Sequence, residues 1–168
     1  MKNRGITLIE LMTVMIIMSF VLLVMTCQFV AQANFGTAIS NQAAALTEVS
    51  LAMNNMTEFL RFADGSQTGA QAITTATLPY PSITAWMESS TPSHFSFIPD
   101  GTKIVFSRDA ANHITFTIGA KSPTIIAYNI TSFNPVYDSV NHYITLQVTA
   151  TVQNRSSSME TMIRVPPY

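Results

Sequence analysis

The chain has 168 residues, of which 48% are apolar and only 10% charged, against about 25% charged in an ordinary soluble domain. Such a length suits one domain plus an anchoring segment and is short for two. The net charge of −1 comes without any basic cluster, which argues against a nucleic-acid binder, and the single cysteine, Cys27, excludes an internal disulfide or an all-cysteine metal site.

Met1 to Gly5 is short and basic, with Lys2 and Arg4 as its charges. From Ile6 to Val30 the chain is almost continuously apolar, and a helix needs about 20 such residues to cross a bilayer. Lys2 and Arg4 just ahead of it place the N-terminus in the cytoplasm and everything after about Val30 on the far side. Two plainer readings compete. A secretory signal peptide would end at a small-residue site, and Ala31-Gln32-Ala33 has that composition. A simple anchor helix is the other. Neither accounts for Glu10, a carboxylate a few residues inside the apolar run. An acid at membrane depth costs about 2.5–3.5 kcal/mol, less near a helix end, and calls for a partner. The run holds no Lys, Arg or His to serve as one. A cut just before Ile6 would free an α-amine that a neighbouring copy could offer to Glu10.

Gly5-Ile6-Thr7-Leu8-Ile9-Glu10-Leu11-Met12 resembles the N-terminal motif of type IV pilins and of the pseudopilins of type II secretion systems. The resemblance implies a leader, residues 1–5, removed by a prepilin peptidase at the Gly5–Ile6 bond, N-methylation of Ile6, and a Glu10 that neutralises the terminal amine of an adjacent subunit during assembly. It also implies partners: other pilin or pseudopilin subunits, an assembly platform in the inner membrane, and lipid before assembly. The family more often has phenylalanine where this chain has Ile6. Many major pilins carry a proline within the anchor, whereas here none precedes Pro79.

Beyond the anchor, Phe35, Ile39, Gln42, Leu46, Val49, Met53, Met56 and Leu60 recur at alternating steps of four and three. That spacing predicts a helix with one packing stripe, ending near Asp64-Gly65. One helix over residues 6–62 would be roughly 85 Å long, so its first half needs lipid or other copies around it and its second half a domain; a separate coiled-coil partner is the alternative. Residues 64–92, rich in small polar residues and marked by Pro79-Tyr80-Pro81, read as a connection with one short element around Ile83–Met87. Trp86 within it is a core plug or an exposed contact. From His94 the period becomes two: Phe95 and Phe97; Ile104 and Phe106; Ile114, Phe116 and Ile118; Thr124–Ile130; Ile144 to Val152; and Thr161–Val165. Asp109–Asn112 reads as a hairpin turn. The expectation is an α+β fold: a long N-terminal helix, transmembrane over residues 6–30 and amphipathic over 31–63, packed on an antiparallel sheet formed by residues 93–166 of a head spanning 31–168.

No enzyme chemistry stands out. His94, His113 and His142 are unrelated in spacing and lack a metal-binding context. Asp64, Asp100, Asp109 and Asp138 sit beside turn formers; some pseudopilins bind calcium in a head loop, but no loop here concentrates three oxygen ligands. The ten methionines suit apolar filling at helix surfaces. No cofactor or metal is expected. The reading is a structural subunit of a pilus or pseudopilus in the inner membrane. The missing C-terminal cysteine pair favours a minor subunit, and Met53–Asp64, with Glu58, Leu60, Arg61 and Ala63, resembles the J-type minor pseudopilin. The rival reading is a periplasmic binding domain on a single-span anchor, outside any filament.

Overall fold

The computed structural model describes residues 7–63, 72–76, 81–86 and 102–165. Lys2, Arg4, Gly5, Ile6, the Asp64-Gly65 cap, Pro79-Tyr80, His94 and the Phe95–Phe97 run lie outside them. The chain divides into two compact units, Met1–Ser40 and Asn41–Tyr168, and one helix, α1 (Leu8–Leu60), contributes to both. Its uninterrupted length follows from composition: no proline occurs before Pro79, and Gly36 is the sole glycine between Gly5 and Gly65.

In the first unit every described residue up to Thr37 is exposed. An 18-residue window of α1 reaches a mean hydropathy of 2.6 with none of it buried. In water, a surface of Leu, Ile, Val, Met and Phe on all sides of a helix would be strongly unfavourable, and lipid or other apolar helices are its natural solvent. Thr13, Ser19 and Thr26 satisfy their hydroxyls on the carbonyls of Ile9, Met15 and Leu22, one turn back, at 2.7–2.8 Å. These polar side chains therefore need no water.

The second unit packs the C-terminal part of α1 with two antiparallel sheets. One, of order β1-β2-β3-β4-β5, comprises β1 (Thr74–Ala76), β2 (Ser82–Trp86), β3 (Lys103–Arg108), β4 (Ile114–Ile118) and β5 (Thr124–Ala127). The other, of order β6-β7-β8, comprises β6 (Ile130–Asp138), β7 (Tyr143–Val152) and β8 (Arg155–Arg164). The core joins Ala45, Val49, Ala52, Met56 and Phe59 of α1 to Ile83, Ile104, Phe106 and Ile114 of the first sheet and Phe133, Ile144, Leu146 and Val148 of the second. At its centre Phe116 stacks between Phe59 and Phe106, with ring centroids 4.5 and 4.7 Å apart.

Three expectations change, and one strand appears where none was expected. The single sheet is two, because Asn129 takes a left-handed conformation (φ 58°) and divides the run 124–130 into the end of β5 and the start of β6. β1 and β2 both lie in the interval read as a connection with one short element. β6 carries Pro135, which removes a ladder donor, and it is accommodated because β6 is an edge of its sheet. Finally, the packing stripe of α1 is narrower and rotated: Val49, Met53, Met56 and Leu60 are buried, but Phe35, Ile39, Gln42 and Leu46 are exposed while Ala45 and Ala52 are fully buried. Small alanines let the sheets approach the helix closely, and the bulkier Leu46 turns outward.

Candidate functional site

The described chain begins at Thr7, and its first helical turn holds the one charged residue between Arg4 and Glu48. Thr7 precedes α1 and Glu10 is the third residue within it, the positions N-cap and N3. The Thr7 backbone N–H donates to Glu10 Oε2 at 2.8 Å, the Thr7 hydroxyl donates to the same oxygen at 2.9 Å, and the Glu10 N–H reaches the Thr7 Oγ1 at 3.4 Å. This is a capping box: side chain and backbone of two residues three apart satisfy each other's otherwise orphaned donors. It holds the carboxylate at the positive end of the helix dipole. Glu10 remains exposed, with Oε1 free of any hydrogen bond among the described residues. A cation approaching from another chain therefore meets an oriented carboxylate rather than a freely rotating one.

Glu10 stands out in the sequence, because the apolar run offers no cationic partner. Thr7 does not, although threonine followed three residues later by glutamate at the head of an apolar run is the pattern of such a cap. Cys27 is exposed on the same helix.

The polar groups of the second unit make local structure. Asp109 Oδ1 accepts the backbone N–H of Ala111 at 2.9 Å and that of His113 at 2.8 Å, and its Oδ2 lies 3.1 Å from His113 Nδ1. Partial burial pulls the Asp109 carboxyl upward, but the His113 amide, charge and ring and the Ala111 amide outweigh it and hold the group below its ordinary value of 3.8. Asp138 is lowered too, first by the Asn141 side chain and then by the backbone N–H groups of Asn141 and Val140. Both aspartates fasten turns, and both turns use left-handed residues, Asn112 (φ 64°) and His142 (φ 54°). Arg108 Nη1 donates to the carbonyls of Thr131 at 2.8 Å and Ile130 at 3.4 Å, tying the β3–β4 hairpin to the start of β6. His142 Nδ1 lies 3.4 Å from the Tyr137 hydroxyl. No group of three His, Cys, Asp or Glu residues converges on a metal-sized site among the described residues. Trp86 is half-buried, its Nε1 enclosed and without a partner among the described residues, so it is neither a sealed core plug nor an open contact.

An apolar N-terminal helix opened by an acid-bearing cap, joined in sequence to an α+β head, is a membrane-anchored architecture without a catalytic constellation among the described residues. Residues 1–26 match the family described as the prokaryotic N-terminal methylation motif, so the chain carries the N-terminal signal of type IV pilins and pseudopilins. The match spans 26 of 168 residues and leaves the head outside it. Comparison with curated proteins and with solved structures gave no match. The motif supports a pilin-like structural subunit, processed by a prepilin peptidase and assembled with other pilins.

Proposed function

We propose that the chain is a minor subunit, initiating or tip-proximal, of a type IV pilus or of a type II secretion-like pseudopilus. The leader is cut between Gly5 and Ile6 on the cytoplasmic face, Ile6 is N-methylated, and the subunit waits in the inner membrane with its head on the far side. Assembly begins when Glu10 receives the terminal amine of a neighbouring subunit. That contact neutralises two charges in a medium that penalises either alone, and the apolar helices leave lipid for a bundle of their own kind, drawn out through a platform in the inner membrane.

The observation that carries this reading is Glu10 itself: a lone carboxylate in the first turn of a helix otherwise uncharged up to Glu48, held by a local cap that supplies hydrogen bonds but no positive charge. Thr7 and Glu10 both lie on the mature side of the proposed cut, so the cap survives processing while the new amine appears one residue before it. Mass spectrometry of the mature product tests the cleavage. The expected N-terminus is Ile6 with one added methyl group, and a product that begins at Met1 overturns the reading. Glu10→Ala is expected to be cut normally yet to be missing from sheared filaments.

A further inference from the structure

The β6–β7–β8 sheet buries one face in the core and turns the other outward. Residues directly opposite each other in an antiparallel ladder share a face, so the register sets the outward side chains in rows across the three strands. Asp138 and Arg164 flank Tyr143, Val136 and Met162 flank Thr145, and Asn134 and Glu160 flank Gln147. All six flanking residues are exposed. Two of them are large and apolar, Val136 at 51% and Met162 at 65% exposure, and neither Glu160 nor Arg164 has an ion-pair partner among the described residues.

These rows complement themselves. A two-fold axis lying along β7, between two such faces, carries each β6 residue onto the β8 residue of the same row in the other copy. Asp138 then meets Arg164, Val136 meets Met162, and the Asn134 amide meets the Glu160 carboxylate, each contact being made twice. Tyr143, Thr145 and Gln147 lie on the axis and meet their own counterparts, and no row sets like charges together. The direction of the axis also suits an anchored chain. β8 runs in the same sense as the part of α1 in the head: Asn41 Nδ2 donates to Gln153 Oε1 at 3.0 Å just ahead of β8, and Met53, Thr57 and Arg61 share a groove with Met159 and Thr161 further along. An axis along the strands therefore sends this part of α1 the same way in both copies. An axis across the strands would send the two in opposite directions, which two heads on one membrane cannot adopt.

We propose that two copies of this chain pair through the outer face of the β6–β7–β8 sheet, about a two-fold axis along β7, with Asp138 against Arg164 and Val136 against Met162 on each side. The inference rests on the membrane anchor and not on the filament. At ordinary strand spacing, three strands over the nine residues of β6 offer about 400 Å² per copy, half of what a standard interface takes. The pairing is therefore weak in dilute solution and forms where two heads share a membrane, because that confinement raises the effective concentration of the second copy as a linker does. Such a contact uses the same patch on both copies and closes on itself, so it makes a dimer and does not propagate.

Cross-linking in membranes of cells that make the full chain tests it, in a Cys27→Ser background so that the native thiol is silent. Thr145→Cys lies on the axis, and its yield of dimer with a short bismaleimide is expected to exceed that of Ala110→Cys, an exposed residue of the other sheet's β3–β4 turn, by about fivefold or more. Equal yields overturn the inference while the filament reading stands; a chain missing from the membrane fraction overturns the anchor with it. Orientation is read by charge, at two side chains exposed enough to be changed without disturbing the fold. Val136→Arg with Met162→Arg sets like charges together twice in a symmetric pair and should lower the Thr145→Cys dimer by about fivefold or more. Val136→Glu with Met162→Glu should do the same. The two double variants made together should cross-link to each other at the native yield, because each then meets its opposite. Yields unchanged by either double variant, or a mixture that stays low, overturn the inference.

Discussion

Replacing Glu10 by Gln and Thr7 by Val separates the two things the Thr7–Glu10 pair can do. Gln serves at N3 of a capping box as Glu does, so Glu10→Gln keeps the bond from the Thr7 N–H and removes only the charge. Thr7→Val keeps the charge and the 2.8 Å backbone bond but deletes the hydroxyl, which donates at 2.9 Å and accepts at 3.4 Å. Losing one cap side chain costs about 1 kcal/mol, roughly a fivefold change in an equilibrium. Losing one partner of a desolvated ion pair costs about 3 kcal/mol or more, because the neighbour's amine is left uncompensated, which is over about a hundredfold. If Glu10 acts by charge, Glu10→Gln nearly abolishes filament incorporation and Thr7→Val lowers it only several-fold. The assay is the ratio of sheared-filament to membrane-bound subunit by immunoblot, with processing followed by the mass of the N-terminus. Native assembly of Glu10→Gln, with a defect in Thr7→Val, would reduce Glu10 to a helix cap and refute the reasoning.

Gly5→Leu should leave the leader attached, visible as a full-length mass in the membrane fraction, while Gly5→Ala is processed. Phe106→Ala should lower the melting temperature of the detergent-solubilised chain by about 10 °C or more. Phe106 is fully buried and stacks on Phe116, and truncations of this kind cost about 3–5 kcal/mol. Asp109 has a depressed folded value, so its contribution to stability is present above its unfolded value and is lost as pH falls through the folded one. The melting-temperature gap between the native chain and Asp109→Asn should therefore be present above about pH 4 and shrink below it. A gap that persists undiminished well below about pH 4 would contradict the geometry of that turn.

The parts of the fold legible in the sequence are those with a regular period. The runs around Ile104–Phe106, Ile114–Ile118 and Ile144–Val152 alternate strictly and stand as β3, β4 and β7. What escaped has no local signal. The first half of β8, Arg155-Ser156-Ser157-Ser158, is polar throughout, and its strand character comes from ten register partners on β7. β6 was masked by Asn134-Pro135, a pair that usually ends a strand and is tolerated here only because of the edge. The face of α1 is legible at Val49, Met53, Met56 and Leu60 but not at Ala45 and Ala52, because alanines carry little weight in a hydrophobic stripe, yet the sheets close upon them. At the candidate site Glu10 was conspicuous, an acid in apolar surroundings, whereas Thr7 was not, since its importance lies in a bond and not in its composition.

The core has a consequence for biogenesis. Ala45, Val49, Ala52 and Met56 emerge from the ribosome well before Ile144, Leu146 and Val148, which help to cover them. The first sheet, with Ile83, Ile104, Phe106 and Ile114, can shelter part of this ridge earlier, but the core closes fully only when the β7–β8 hairpin arrives. Ten cross-strand pairs around a two-residue turn form fast, because little chain entropy is lost in bringing them together. Completion of the head thus waits on its C-terminal third.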